Sequence, residues 1–277
     1  MEERLFSVSP NKRSSWTLAV PLTLIMLGEA MLFAGVIEAC IIIHILNVLI
    51  CVLVPTVFKV NPLIWQSFSL VSLLRILDYG IPRFTTTTLY WIALVYAILI
   101  ITCIFIYDRS ISSGCIAKIY NRLTKNFSNF FNWKPFFLPL ALMMSLLLGY
   151  LQYNVLSMTV PNLRLIPDLS IENLAVLFLV MVFFVGLGEE LIFRYFLQTE
   201  LTNKYGPPIA IVLASLISAA MYSGYHSFIY IILTFIISAF FGSLFYRTRS
   251  LSLVVLIHGS MNFFIFSFFP FGWFTFF

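Results

Sequence analysis

Two adjacent carboxylates interrupt an apolar stretch of this sequence, in Gly186-Leu187-Gly188-Glu189-Glu190-Leu191-Ile192-Phe193-Arg194. Charges at bilayer depth are costly, so they face the interior of a helix bundle and often mark function. Neighbours on an α-helix point about 100° apart, whereas i and i+4 share a face. Glu190 is therefore expected to face Arg194, which neutralises it. Glu189 has Val185, Gly186, Ile192 and Phe193 at its i±3 and i±4 positions. With no basic neighbour it reads as a free, desolvated carboxylate, the kind that serves as a general base. A buried ion pair that only fixes helix packing is the plainer account of the same three residues.

The chain has three histidines, His44, His226 and His258, and the last two follow the Glu-Glu pair on successive apolar runs. His258-Gly259-Ser260-Met261-Asn262 sets His258 and Asn262 on one helix face, both able to donate hydrogen bonds. A base, a water and preorganised donors are the minimum set for acyl transfer to water. His44 has no such company and reads as a packing residue. Rise per residue sets Glu189, His226 and His258 about 20, 27 and 12 Å from the inner ends of their helices. They meet only if a helix tilts or breaks, and Gly224 is the expected place for a break.

These side chains need elements that live in lipid. Hydrophobic residues make up 61% of the 277 and charged ones 10%, against about 25% charged in a soluble domain. A spanning helix needs about 20 mostly apolar residues. Candidate spans lie near 17–37, 39–58, 63–80, 88–107, 135–158, 173–201, 208–226, 227–246 and 251–270. The third is weakest, because it holds Arg75 and Asp78, and the join at 226 and 227 is blurred. The expectation is an all-α, polytopic transmembrane bundle of about eight helices: a segment 1–16, N-terminal membrane helices over 17–158 and core helices over 159–277, in one membrane domain. Long unbroken runs, not ten-residue alternation, argue against a barrel.

The net charge of +5 follows the positive-inside pattern and does not point to nucleic acid. Loop 108–134 carries Arg109, Lys118, Arg122, Lys125 and Lys134 and is expected in the cytoplasm together with the N-terminus, Lys59, Lys204, Arg247 and Arg249. Only Arg83 and Arg164 then fall outside. A multi-pass protein of the cell membrane is expected. Cys40, Cys51 and Cys103 fall in apolar runs, Cys115 in the loop, and none forms a C-x-x-C pair. They read as small hydrophobes, not a disulfide or zinc framework. The Phe-rich tail from Phe263 to Phe277, with Trp273, reads as lipid-facing and interfacial.

The ordered set Glu189-Glu190…Arg194, Tyr222…His226 and His258…Asn262 resembles the CPBP intramembrane proteases. That family includes type II CAAX prenyl endopeptidases and bacteriocin-processing and immunity proteins. Its hallmark is Glu-Glu-x-x-x-Arg, then Phe-x-x-x-His, then His-x-x-x-Asn/Asp. Tyr222 stands where the family usually has Phe. The resemblance covers about residues 178–262; the N-terminal half is similar only as generic membrane helices. It implies peptide-bond hydrolysis in a membrane cavity, with a membrane-associated or lipidated peptide or protein as substrate. Glu189 would activate water, His226 would help position it, and His258 and Asn262 would stabilise the oxyanion. Glu190 and Arg194, with Tyr222, would support the site. The family has also been described as metal-dependent. Glu189, His226 and His258 could in principle bind zinc, but with no His-Glu-x-x-His helix the metal-free mechanism is favoured.

Other classes compete. A non-proteolytic scaffold or immunity protein on the same fold would keep the helices without the chemistry. A transporter with an intramembrane proton relay would show inverted repeats and broken helices in both halves, and the N-terminal half lacks matching charges in sequence. An aspartyl protease reading of Tyr107-Asp108 with Gly186-Leu187-Gly188 fails because the second acid is Glu.

Overall fold

The computed structural model describes residues 18–58, 62–81, 87–110, 137–160 and 163–272, with every side chain except those of residues 107–110 and 137. The segment 1–16, most of the basic loop 108–134, Lys59, Arg83, Cys115 and the tail from Trp273 onward lie outside the described residues.

The chain is an all-α, multi-pass integral membrane protein; among the described residues every element is helical and none is a strand. We number the helices α1 (Ala19–Phe33), α2 (Ile37–Phe58), α3 (Pro62–Tyr79), α4 (Thr88–Ser110), α5 (Phe137–Ser157), α6 (Ile171–Tyr205), α7 (Pro207–Ala220), α8 (Phe228–Thr248) and α9 (Leu251–Phe266). Each coincides with one of the nine apolar runs. Six of them, α2, α4, α5, α6, α8 and α9, are long and apolar enough to cross a membrane, while α1 and α7 are shorter apolar helices. Gly206, at φ 84°, ends α6, and Pro207 opens α7, where a missing N–H costs nothing. Cys40, Cys51 and Cys103 are buried and free.

Two departures from the sequence expectation bear on function. The run 208–226 is not one helix. It stops at Ala220, and a short 3-10 turn, Ser223–Tyr225, leads to His226 in a left-handed conformation at φ 52°. Helix α6, moreover, is not a regular α-helix. It widens to i→i+5 bonding over Val180–Gly186 and again over Leu191–Gln198, on either side of the α-helical turn Leu187–Glu190. Such wide turns are rare and gather at functional sites. The face argument that set Glu190 toward Arg194 assumed regular α-turns, and the turn that follows Glu190 is a wide one.

The chain sorts into two compact units interleaved along the sequence. One comprises residues 1–79 and 192–247, the other 80–191 and 248–277. In the first, α1, α2 and α3 pack on one another and α1 touches α7 and the 3-10 turn. In the second, α4 and α9 both pack against the part of α6 that carries the glutamates, and α9 also packs along α5. Helix α6 enters both units. The spans of α6 and α9 are 61% and 72% buried, against 22% for α2, so the helices bearing the acidic pair and His258 are the most enclosed.

Candidate active site

In the second unit one imidazole stands between the two carboxylates. His258 Nδ1 lies 2.7 Å from Glu190 Oε1, and His258 Nε2 lies 3.7 Å from Glu189 Oε2. A carboxylate accepts, so Nδ1 carries the proton in the first contact, and Nε2 is left toward Glu189. The other oxygen of Glu189, Oε1, accepts a 2.7 Å hydrogen bond from the Tyr96 hydroxyl on α4. Glu190 is 1% exposed, whereas the Glu189 side chain is 12% exposed. The two acids thus differ in setting: Glu190 is sealed against the imidazole, and Glu189 is the more exposed of the two. Asn262 is buried one turn beyond His258 on α9.

Glycines make this approach possible. A Cβ on Gly259 would lie 2.5 Å from Val182 Cα and 2.9 Å from the Met181 carbonyl oxygen; one on Gly186 would lie 3.0 Å from Gly259 Cα. The α6 and α9 backbones therefore touch next to His258 and Glu190. Small residues are the usual means of such contact between membrane helices. A Cβ on Gly188 would sit 2.6 Å from the Tyr96 ring, so that glycine admits the tyrosine whose hydroxyl reaches Glu189. In the sequence neither these glycines nor Tyr96 stands out from other residues of apolar helices. A buried Tyr seeks a partner for its hydroxyl, and that was the one available signal.

The first unit holds Arg194, Tyr222 and His226. Arg194 is fully buried and donates to Ser238 Oγ at 2.7 Å; Gln198, one turn on, donates to the Gly242 carbonyl at 2.9 Å. This pins the second wide turn of α6 to α8. Tyr222 packs with Tyr225 and Tyr230, at ring-centroid distances of 6.2 and 5.6 Å. His226 is exposed, and its Nδ1 donates to the Phe33 carbonyl at 2.9 Å, leaving Nε2 as an acceptor in the neutral ring.

The same unit contains a polar network that corrects the sequence reading of the N-terminal half. Glu29 on α1 takes two 2.7 Å hydrogen bonds from Arg75, a 2.5 Å bond from the Ser223 hydroxyl, and lies 3.3 Å from His44 Nε2. His44 is thus a structural residue with partners of its own. Its Nδ1 meets Ser72 Oγ at 3.0 Å, and Asn47 donates to that hydroxyl at 2.8 Å. Matching charges do exist in this half, but they form a closed ion pair whose oxygens are already taken.

Among the described residues no group of three His, Cys, Asp or Glu side chains is set to hold a metal ion. Nδ1 of His258 is given to Glu190 and that of His226 to a backbone carbonyl, which leaves Nε2 of each ring as the nitrogen that would meet a ligand.

The chain is thus a multi-pass helical membrane protein with a buried imidazole between two carboxylates. Residues 171–264, about a third of the chain, match the family described as Type II CAAX prenyl endopeptidase Rce1-like. That match supports the CPBP/CAAX protease family, on the stretch that carries all three motifs, and with it peptidase activity in general. No curated protein and no solved structure matches the chain.

Proposed function

We propose that the chain is an intramembrane endopeptidase that hydrolyses a peptide bond in a membrane-associated or lipidated peptide or protein. The observation that carries this reading is the imidazole of His258 held between Glu190 and Glu189, with Glu189 steadied by Tyr96. Glu189 Oε2 takes a proton from water as the water oxygen attacks the carbonyl carbon. The C=O electrons move onto oxygen; Asn262 donates to that oxyanion, and so does His258 as an imidazolium, with Nδ1–H on Glu190 and Nε2–H on the oxyanion. Collapse breaks the C–N bond, and the proton held by Glu189 goes to the leaving nitrogen. Such a base contributes about 10²–10⁴-fold, and a lost oxyanion donor costs about 10²–10³-fold. Glu190 orients the His258 ring, Arg194 supports α6, and Tyr222 supports the turn before His226. His226, assigned to water positioning, enters from the motif set that carries the family likeness. The N-terminus and loop 108–134 are placed in the cytoplasm of a cell-membrane protein on charge asymmetry.

The test is direct. Detergent-purified protein and its Glu189→Gln variant are incubated with labelled farnesylated and unmodified peptides, with and without phenanthroline. Cleavage by the wild type alone, indifferent to chelator, is expected. No cleavage of any peptide favours the scaffold reading; loss with chelator, restored by zinc, overturns the metal-free steps.

A further inference from the structure

The buried pair Glu29–Arg75 lies far in sequence from the glutamates of α6, and the steps above make no use of it. Its contacts converge on one short segment. Helix α7 ends at Ala220, and its last carbonyls lack helical partners. The Arg75 guanidinium donates to the Met221 carbonyl at that end, where a cation is favoured by the helix dipole. Ser223, two residues on, donates its hydroxyl to Glu29 Oε2 at 2.5 Å. Three residues further, His226 takes a left-handed φ of 52° and donates Nδ1–H to the carbonyl of Phe33, at the C-terminal end of the helix that carries Glu29.

A non-glycine residue in the left-handed region persists only where its surroundings over-determine it. A buried ion pair is also a weak means of stabilising a fold; its best-supported use is to impose one geometry among several. Here both partners of the pair grip the segment between the end of α7 and His226. Behind them His44 contacts Glu29, and Ser72 and Asn47 hold His44. Gly28 lets the histidine come close, since a Cβ there would meet His44 Nε2 at 2.7 Å. The clamp has an inner brace and an outer grip.

We propose that Glu29 and Arg75 are positioning residues for His226. Together they hold the 221–226 turn so that Nδ1–H is spent on the Phe33 carbonyl and Nε2 is kept as the free acceptor. This rests on the proteolytic reading, which assigns His226 to the reaction. The clamp itself is read from hydrogen bonds that do not depend on that assignment.

The experiment uses the full chain in detergent, with ¹⁵N-histidine label. Wild type, Glu29→Gln and Ser223→Ala are compared by ring-nitrogen NMR and by kcat and KM on a farnesylated reporter peptide. The wild type should show a single Nδ1–H tautomer at His226. Both variants should lose it to tautomer averaging, with kcat about tenfold lower, the low end for loss of an imidazole-orienting partner, and KM within about twofold. A variant that keeps the wild-type tautomer overturns the proposal even if kcat falls, because the role is then only structural. A lost tautomer with unchanged kcat overturns it too. Should Glu29→Gln fail to fold, Ser223→Ala, which deletes one hydroxyl, decides alone. If the wild type cleaves nothing, the tautomer readout still decides the clamp, and it is the proteolytic reading that fails.

Discussion

Adding a single methyl group at Gly259 tests whether the site depends on backbone contact between α6 and α9. A Cβ at Gly259 would lie 2.5 Å from Val182 Cα and 2.9 Å from the Met181 carbonyl oxygen. Carbon pairs rest about 3.5–4.0 Å apart, and both obstacles are backbone atoms that cannot rotate away. Gly259→Ala must therefore separate the two helices by about 1 Å. The Glu190–His258 contact of 2.7 Å then stretches toward about 3.7 Å, beyond hydrogen-bond range. Overpacking of this kind costs about 1–3 kcal/mol, and a misplacement of about 1 Å in a reacting constellation costs about 10²-fold in rate. Gly186→Ala is the graded comparison, since its Cβ would meet Gly259 Cα at 3.0 Å and need less movement. Thermal melting in detergent and turnover of a reporter peptide should fall in the order wild type, Gly186→Ala, Gly259→Ala. Wild-type melting and turnover in Gly259→Ala, or a larger effect at Gly186, would refute the reasoning.

Glu189→Gln should lower turnover by at least about 10²-fold with melting unchanged, while Glu190→Gln should lower both, because His258 loses a charged acceptor worth about 1.5–3 kcal/mol. An active Glu189→Gln beside a dead but fully stable Glu190→Gln would reverse the two roles. Tyr96→Phe removes the 2.7 Å bond to Glu189 and should cut kcat about tenfold or more with little change in KM; unchanged steady-state kinetics would make Tyr96 a spectator. A cysteine placed in loop 108–134 should resist labelling from outside intact cells, and strong labelling would overturn the cytoplasmic placement.

What was legible in the sequence was local. Apolar runs and positive loops give the helices, since lipid permits little else. The Glu-Glu pair and His258-x-x-x-Asn262 stand out because charge and polarity are rare in such runs. Depth alone left either a tilt or a break near Gly224 open, and the helix ends earlier, at Ala220. What stayed hidden was non-local or steric. Glu29 and Arg75 are 46 residues apart, and no periodicity links them. His44 could not declare its partners for the same reason. Nothing in Val180–Gly186 or Leu191–Gln198 marks them as wide turns, because their residues suit an ordinary helix equally well. The glycines were visible, but which backbone each one admits is a property of the packed chain.

The steric fact and the chemical one have a common origin. Adjacent residues on a helix diverge by about 100°, so two neighbouring glutamates do not ordinarily address one side chain. They do so here because the target is an imidazole with a nitrogen on either side, brought so near that its own helix shows glycine at the contact. Glu190, the buried partner at 2.7 Å, holds the ring by its Nδ1–H. Glu189, at 3.7 Å and 12% exposed, faces the other nitrogen. Exchanging the order of the pair would place the sealed carboxylate where the chemistry needs the open one. The double change Glu189→Gln with Glu190→Gln should therefore lose less than the two single losses added together, because groups that act as one unit are not additive. An additive loss in the double variant, measured on the same reporter peptide, would mean that the two glutamates act independently and that His258 does not connect them.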